Sequence, residues 1–245
     1  MRSYLRRHFH AVRLLRTGLH SFELTGPLVV VLNHPAWWDP LVCTLLSELF
    51  GSRAHFAVME SRALAQYRFF RRLGFFGVEP GTPRGAREFL RTTGAIVGCA
   101  DSVLWITAQG RMADVRERPP SLQGGVARLA RSMTTGAILP LALEYPFWNE
   151  RLPEALAAFG DPIRCGNAAG RSADEWLATI ETALVRAQDA LARTSLSRDP
   201  QAFHTLVEGR AGVGGMYDFW RRCRAWTRGE SFSPAHAAQH SGGEA

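Results

Sequence analysis

Pro27-Leu-Val-Val-Val-Leu-Asn33-His34-Pro35-Ala36-Trp37-Trp38-Asp39-Pro40 is the stretch that decides how this chain reads. Its first half is an unbroken aliphatic and β-branched run, without the polar alternation of a half-wet strand. Such a run predicts a strand buried on both faces, as in sheets covered by helices on either side. The strand ends near Asn33. Pro40 suits the first position of a helix running over residues 41–50, with Asp39 as its N-cap.

The turn between strand and helix holds the chemistry. His34 and Asp39 stand five residues apart, a separation that would put them about 140° apart on one continuous helix. With the histidine in a loop and the acid at a helix start, the two side chains can meet. Ligands of open α/β sheets bind at such strand ends. A neutral imidazole there can take the proton of an attacking hydroxyl, while a carboxylate on its other nitrogen fixes the tautomer and stabilises the imidazolium. The same spacing also fits a plain helix cap beside a hydrogen-bonded loop histidine.

Outward from this turn, short apolar runs alternate with helical patterns. Strands are expected over residues 54–59, 75–78, 103–107 and 137–144, with one more within 156–163. Helices are expected over 61–73, 82–97 and 121–133, with a loop at 108–120. Ser172-Ala-Asp-Glu175 is a capping box opening a helix to about Ala192. The alternation predicts an α/β fold: a single domain over residues 1–230 with a mostly parallel or mixed central sheet flanked by helices. A further helix is expected over 216–228, and a disordered tail over 231–245.

Residues 1–20 carry a helical pattern, with Tyr4, Leu5, Val12, Leu15 and Leu19 on one face and Arg2, Arg6, Arg13 and Arg16 beside it. The expectation is a basic amphipathic helix that lies either in a membrane interface or on the protein's own core.

The chain has 245 residues and a net charge of +7, and all 29 of its basic residues are arginine. Lacking lysine, it excludes Schiff-base and P-loop chemistry. The four cysteines are scattered without metal-ligand spacing and read as reduced thiols. No secretory signal or membrane-spanning run is seen, and no metal or cofactor is implied. The basic balance suits an acidic partner. Nucleic acid is not expected, because the arginines are dispersed and no binding motif accompanies them.

Asn33-His34-x-x-x-x-Asp39 resembles the signature of the glycerolipid and lysophospholipid acyltransferases. Three blocks follow in that family's order. Arg72-Leu-Gly74-Phe-Phe-Gly-Val78 is similar to the second, Trp105-Ile-Thr-Ala-Gln109-Gly110-Arg111 to the third, and Ile138-Leu-Pro140-Leu-Ala142 to the fourth. The resemblance covers residues 24–162. It implies an O-acyltransferase with His34 as general base and Asp39 orienting it. The acyl donor would be acyl-CoA or an acyl-carrier protein, the acceptor a lysolipid hydroxyl, and the location the cytoplasmic face of a membrane, held peripherally. Asn33, Trp37, Trp38, Gln109, Gly110, Arg111 and Arg84 are then the candidate substrate-binding residues. Two departures stand out. Glu79-Pro80 lacks the arginine that often ends the second block, and Gln109 replaces the glutamate of the third. Those positions are associated with the acceptor's phosphate, and Arg84 and Arg111 are the candidates to take over that contact. The departures leave open an acceptor that is no glycerol phosphate, and the alternative of a non-catalytic lipid-binding relative of the same fold.

Overall fold

The aliphatic run forms the central strand of a nine-stranded mixed sheet in the computed structural model, which describes residues 1–17, 24–166 and 170–211. Helix α1 (Arg2–His8) leads into strand β1 (Ala11–Leu15), and the central strand itself is β2 (Leu28–Leu32). Then come α2 (Asp39–Leu46), β3 (Ala54–Glu60), α3 (Ser61–Gln66), β4 (Phe75–Val78), α4 (Pro83–Val97), β5 (Ser102–Thr107) and α5 (Gly125–Ser132). The chain continues through β6 (Ala137–Glu144), β7 (Glu154–Phe159), β8 (Ile163–Arg164), α6 (Ala173–Ser197) and β9 (Phe203–Glu208). The sheet order is β4-β3-β5-β2-β6-β7-β1-β9, with β8 also on β6.

One half of the sheet is parallel. Strand β2 lies between β5 and β6, in register Val30 with Trp105 and with Leu139. Every β2 side chain is buried. Leu28, Val30 and Leu32 join the core layer that α1 and α2 cover, while Val29 and Val31 join the layer beneath α5 and α6. Each such side chain contributes about 1.5–3 kcal/mol. The other half turns antiparallel at β6–β7, so β1 and β7 run against β2. Pro140 sits inside β6, where a missing N–H is costly. It is accommodated because it faces the break between β7 and β8, where Gly160 donates its own N–H to the Pro140 carbonyl at 2.9 Å.

The expected strands and helices are present, with shifted ends. The helix at 41–50 is α2 continued by a 3₁₀ turn at Ser47–Phe50, and that at 61–73 is α3 followed by a 3₁₀ turn at Arg68–Leu73. The capping box holds: Ser172 Oγ accepts from Glu175 N at 3.2 Å, and Glu175 Oε2 accepts from Ser172 N at 2.7 Å.

The amphipathic helix over 1–20 requires correction. Helix α1 stops at His8, and Ala11–Leu15 is a strand buried throughout between β7 and β9. Arg13 is not on a solvated basic face. Its guanidinium is buried, donating to Glu154 Oε2 at 2.9 Å and Thr205 Oγ1 at 2.7 Å. The helix expected at 216–228 and the tail after 231 lie outside the described residues. Among the described residues, no helix is long and apolar enough to cross a membrane.

Candidate active site

Strand β2 ends in a side chain that imitates a strand. The Asn33 amide donates to the Leu143 carbonyl at 2.9 Å and accepts from the Leu143 N–H at 2.8 Å. The ladder to β6 thus continues while the backbone turns away into residues 34–38. Asn33 was a candidate for substrate contact; its amide is engaged by Leu143 instead, and it is buried.

The turn brings His34 and Asp39 together, with Nδ1 and Oδ2 at 2.5 Å. A carboxylate can only accept, so Nδ1 carries the proton and Nε2 the lone pair. Nε2 has no protein partner among the described residues. Asp39 is 1% exposed. A carboxylate so placed must accept hydrogen bonds. Oδ2 also takes the Ala36 N–H at 3.3 Å, and Oδ1 takes the Tyr145 hydroxyl at 2.6 Å. Asp39 is therefore not the helix cap: Trp38 holds that position, without a side-chain bond. The carboxylate turns back toward the imidazole and does not serve the α2 amides.

Tyr145 was not identified from the sequence. Burial, and next the Asp39 carboxylate, push its phenol well above the usual tyrosine range, so it stays a donor. Its signal is positional. In the parallel register Leu141 stands beside Leu32, so the residues just past Glu144 reach the level of the catalytic turn.

The loop after β5 clasps His34 from both sides. Gln109 Oε1 accepts from the His34 N–H at 3.2 Å, and the Ala113 N–H donates to the His34 carbonyl at 3.0 Å. Gln123 secures this loop, its N–H bonded to the Ala108 carbonyl at 2.7 Å. Gly110 turns the chain at φ +68°, and a Cβ there would lie 3.2 Å from Gln123 Cγ, so glycine suits the position.

The two tryptophans part company. Trp38 is packed among Phe9, His8 and Tyr4, at ring distances of 4.9, 5.1 and 5.9 Å, which fastens α1 over the turn. Trp37 points outward and is 44% exposed. The arginines do not converge on the dyad. Arg111 pairs with Glu117 at 2.5 Å on the surface, and Arg84 is exposed in the first turn of α4 without an ion pair among the described residues.

The Cys43 thiol beside the dyad does not suit nucleophilic attack, because burial, and next the Asp39 charge, push it well up. Cys165, raised by burial to about 11, lies at the opposite end of the parallel strands, next to Gly136. Among the described residues, no cluster of histidine, cysteine and acids could hold a metal ion. The arrangement is thus an imidazole held by a buried carboxylate, at the end of the parallel strands.

A family model described as acyltransferase matches residues 13–144, just over half of the chain. No curated protein matches the sequence. Among solved structures, the 1-acyl-sn-glycerophosphate (LPA) acyltransferase PlsC from Thermotoga maritima shares the fold. Its TM-score is 0.50 at 12% sequence identity, covering 78% of this chain and 75% of that one.

Proposed function

The chain belongs to the acyltransferase family, and from that premise we propose that it moves a fatty acyl group from a CoA or carrier-protein thioester to a lysolipid hydroxyl at a membrane surface. The observation that carries this reading is the hydrogen-bonded chain Tyr145–Asp39–His34, centred on a buried carboxylate, which leaves Nε2 available to accept a proton.

The proposed steps follow from that polarity. The acceptor hydroxyl gives its proton to Nε2 as its oxygen attacks the thioester carbonyl. Asp39, held by Tyr145, stabilises the imidazolium. The tetrahedral adduct collapses, the C–S bond breaks, and the thiolate takes the proton back as a thiol. Base assistance of this kind contributes about 10²–10⁴-fold. No group of the enzyme is acylated, in keeping with the elevated thiols.

The acceptor's headgroup is inferred from the arginines. Arg111 is paired with Glu117, and the second block has proline at position 80 where the resembling family often has arginine. We therefore expect a lysolipid whose headgroup does not require a clamp on a free phosphate monoester.

The test is thiol release from acyl-CoA or acyl-carrier-protein donors with a panel of lysolipids, with and without a terminal phosphate. Acceptor-dependent release that disappears in a folded His34→Ala variant supports the reading. Release that persists in that variant removes His34 as the base. No release with either donor removes the activity.

A further inference from the structure

We propose that the exposed aromatic face running from Trp37 to Phe69 docks this enzyme on an anionic lipid bilayer, with the 3₁₀ turn Arg68–Leu73 as its anchor. The proposal deepens the acyl-transfer reading, which supplies the lipid nature of the substrate.

The 3₁₀ turn has two characters. Side chains three apart eclipse in such a turn. Phe70 points inward and is buried, 4.8 Å ring to ring from Phe75. Phe69 points away and is 57% exposed, and Tyr67 just before it is 39% exposed. These rings connect to the catalytic turn. Tyr67 lies 6.4 Å from Trp37, whose ring is 5.4 Å from Trp38, itself 5.9 Å from Tyr4. A band of half-exposed aromatics therefore leads to the residues next to His34.

Between Glu60 and Glu79 the charge has one sign. Residues 61–78 contain four arginines and no acid. Arg62, Arg68, Arg71 and Arg72 are all exposed, and none makes an ion pair among the described residues. Five described arginines elsewhere pair with acids, as Arg13 does with Glu154 and Arg118 with Asp189. Aromatic rings that settle at headgroup level, flanked by long cationic side chains, are what a negatively charged membrane surface binds.

A second copy of the chain fits poorly. A two-fold contact through this face would set the arginines of the turn against their own copies. An acidic carrier protein would answer the arginines but has no need of Phe69.

The experiment is co-sedimentation of the whole chain with vesicles of phosphatidylcholine alone or mixed equally with phosphatidylglycerol. Its partner assay is turnover of a short-chain donor and acceptor below their micellar concentrations. Wild type is expected to bind the mixed vesicles and not the neutral ones. Arg68→Gln with Arg72→Gln should weaken binding by about fivefold per arginine, and Phe69→Ser should weaken it further, while turnover of the soluble substrates stays unchanged. Four outcomes overturn the proposal. Wild type binds neither vesicle. The variants bind as wild type does. The variants lose soluble turnover, which would place these residues in the fold or the site. Or a dimer forms that Phe69→Ser dissolves. Failure of the acyltransferase reading looks different: wild type then binds vesicles with the variant pattern but turns over neither substrate form.

Discussion

The catalytic turn and the 3₁₀ turn at 68–73 treat their charges in opposite ways. At the first, a buried carboxylate has both oxygens occupied, by His34, Ala36 and Tyr145. At the second, arginines stand in solvent without ion pairs among the described residues, beside an outward phenylalanine. The difference follows from the tasks proposed for them. A general base needs one geometry, and a buried hydrogen-bonded partner enforces it. A docking surface needs groups left available for a partner that comes and goes.

The comparison breaks most sharply at His34. His34→Ala is expected to lower kcat/KM by about 10³-fold with the far-UV circular dichroism preserved, because the side chain is partly exposed and the sheet does not depend on it. A folded variant keeping a tenth of wild-type turnover would dissolve the contrast altogether.

Next in size is Asp39→Asn, expected to cost about 10²-fold. The amide would present a donor to Nδ1, favouring the tautomer with a protonated Nε2 that cannot act as a base. Far-UV circular dichroism tells this apart from simple unfolding, and a folded variant with wild-type turnover would reduce Asp39 to packing.

Tyr145→Phe sharpens the comparison. It removes a hydrogen bond to a buried charge, worth about 1.5–3 kcal/mol, and should lower kcat/KM about tenfold. The phenol's pKa is raised by folding, so its contribution to stability is complete below the ordinary value near 10 and is lost as pH rises beyond it. Urea titrations should therefore show the gap between wild type and Tyr145→Phe closing above that pH. A gap that is constant there would mean that folding does not raise the phenol's pKa.

The smallest effect is expected at Arg111. It is exposed and paired with Glu117, and such surface pairs matter little. Arg111→Gln should change the acceptor KM by less than about threefold. A tenfold rise confined to phosphate-bearing acceptors would show that Arg111 leaves Glu117 to hold substrate.

Local signals carried much of the reading. The β-branched run at 28–32 reads as a strand buried on both faces, Thr82-Pro83 opens α4, and Ser172 with Glu175 opens α6. The spacing of His34 and Asp39, with a proline at 40, placed them across a strand-to-helix turn. The same reasoning failed at residues 11–15. There a helical pattern was real but weaker than the pull of two strands, β7 and β9, that pair with it from more than 140 residues away. Arg13 reads as a surface charge until Glu154 is known to lie beside it.

By itself, then, the sequence determined most elements from β2 to α6, the alternation that makes an α/β sheet, and the two residues that can form the dyad, because capping, periodicity and turn chemistry act over a few residues. Only the tertiary structure decided that Tyr145 holds Asp39 across 106 positions, that Gln109 steadies His34 across 75, and that Asn33 is engaged by Leu143 across 110. Those bonds exist because β5 and β6 flank β2 in parallel, which delivers the segment after β5 and the end of β6 to one strand end. A pairing of that kind is set by burial of whole strands, and no short window of residues encodes it.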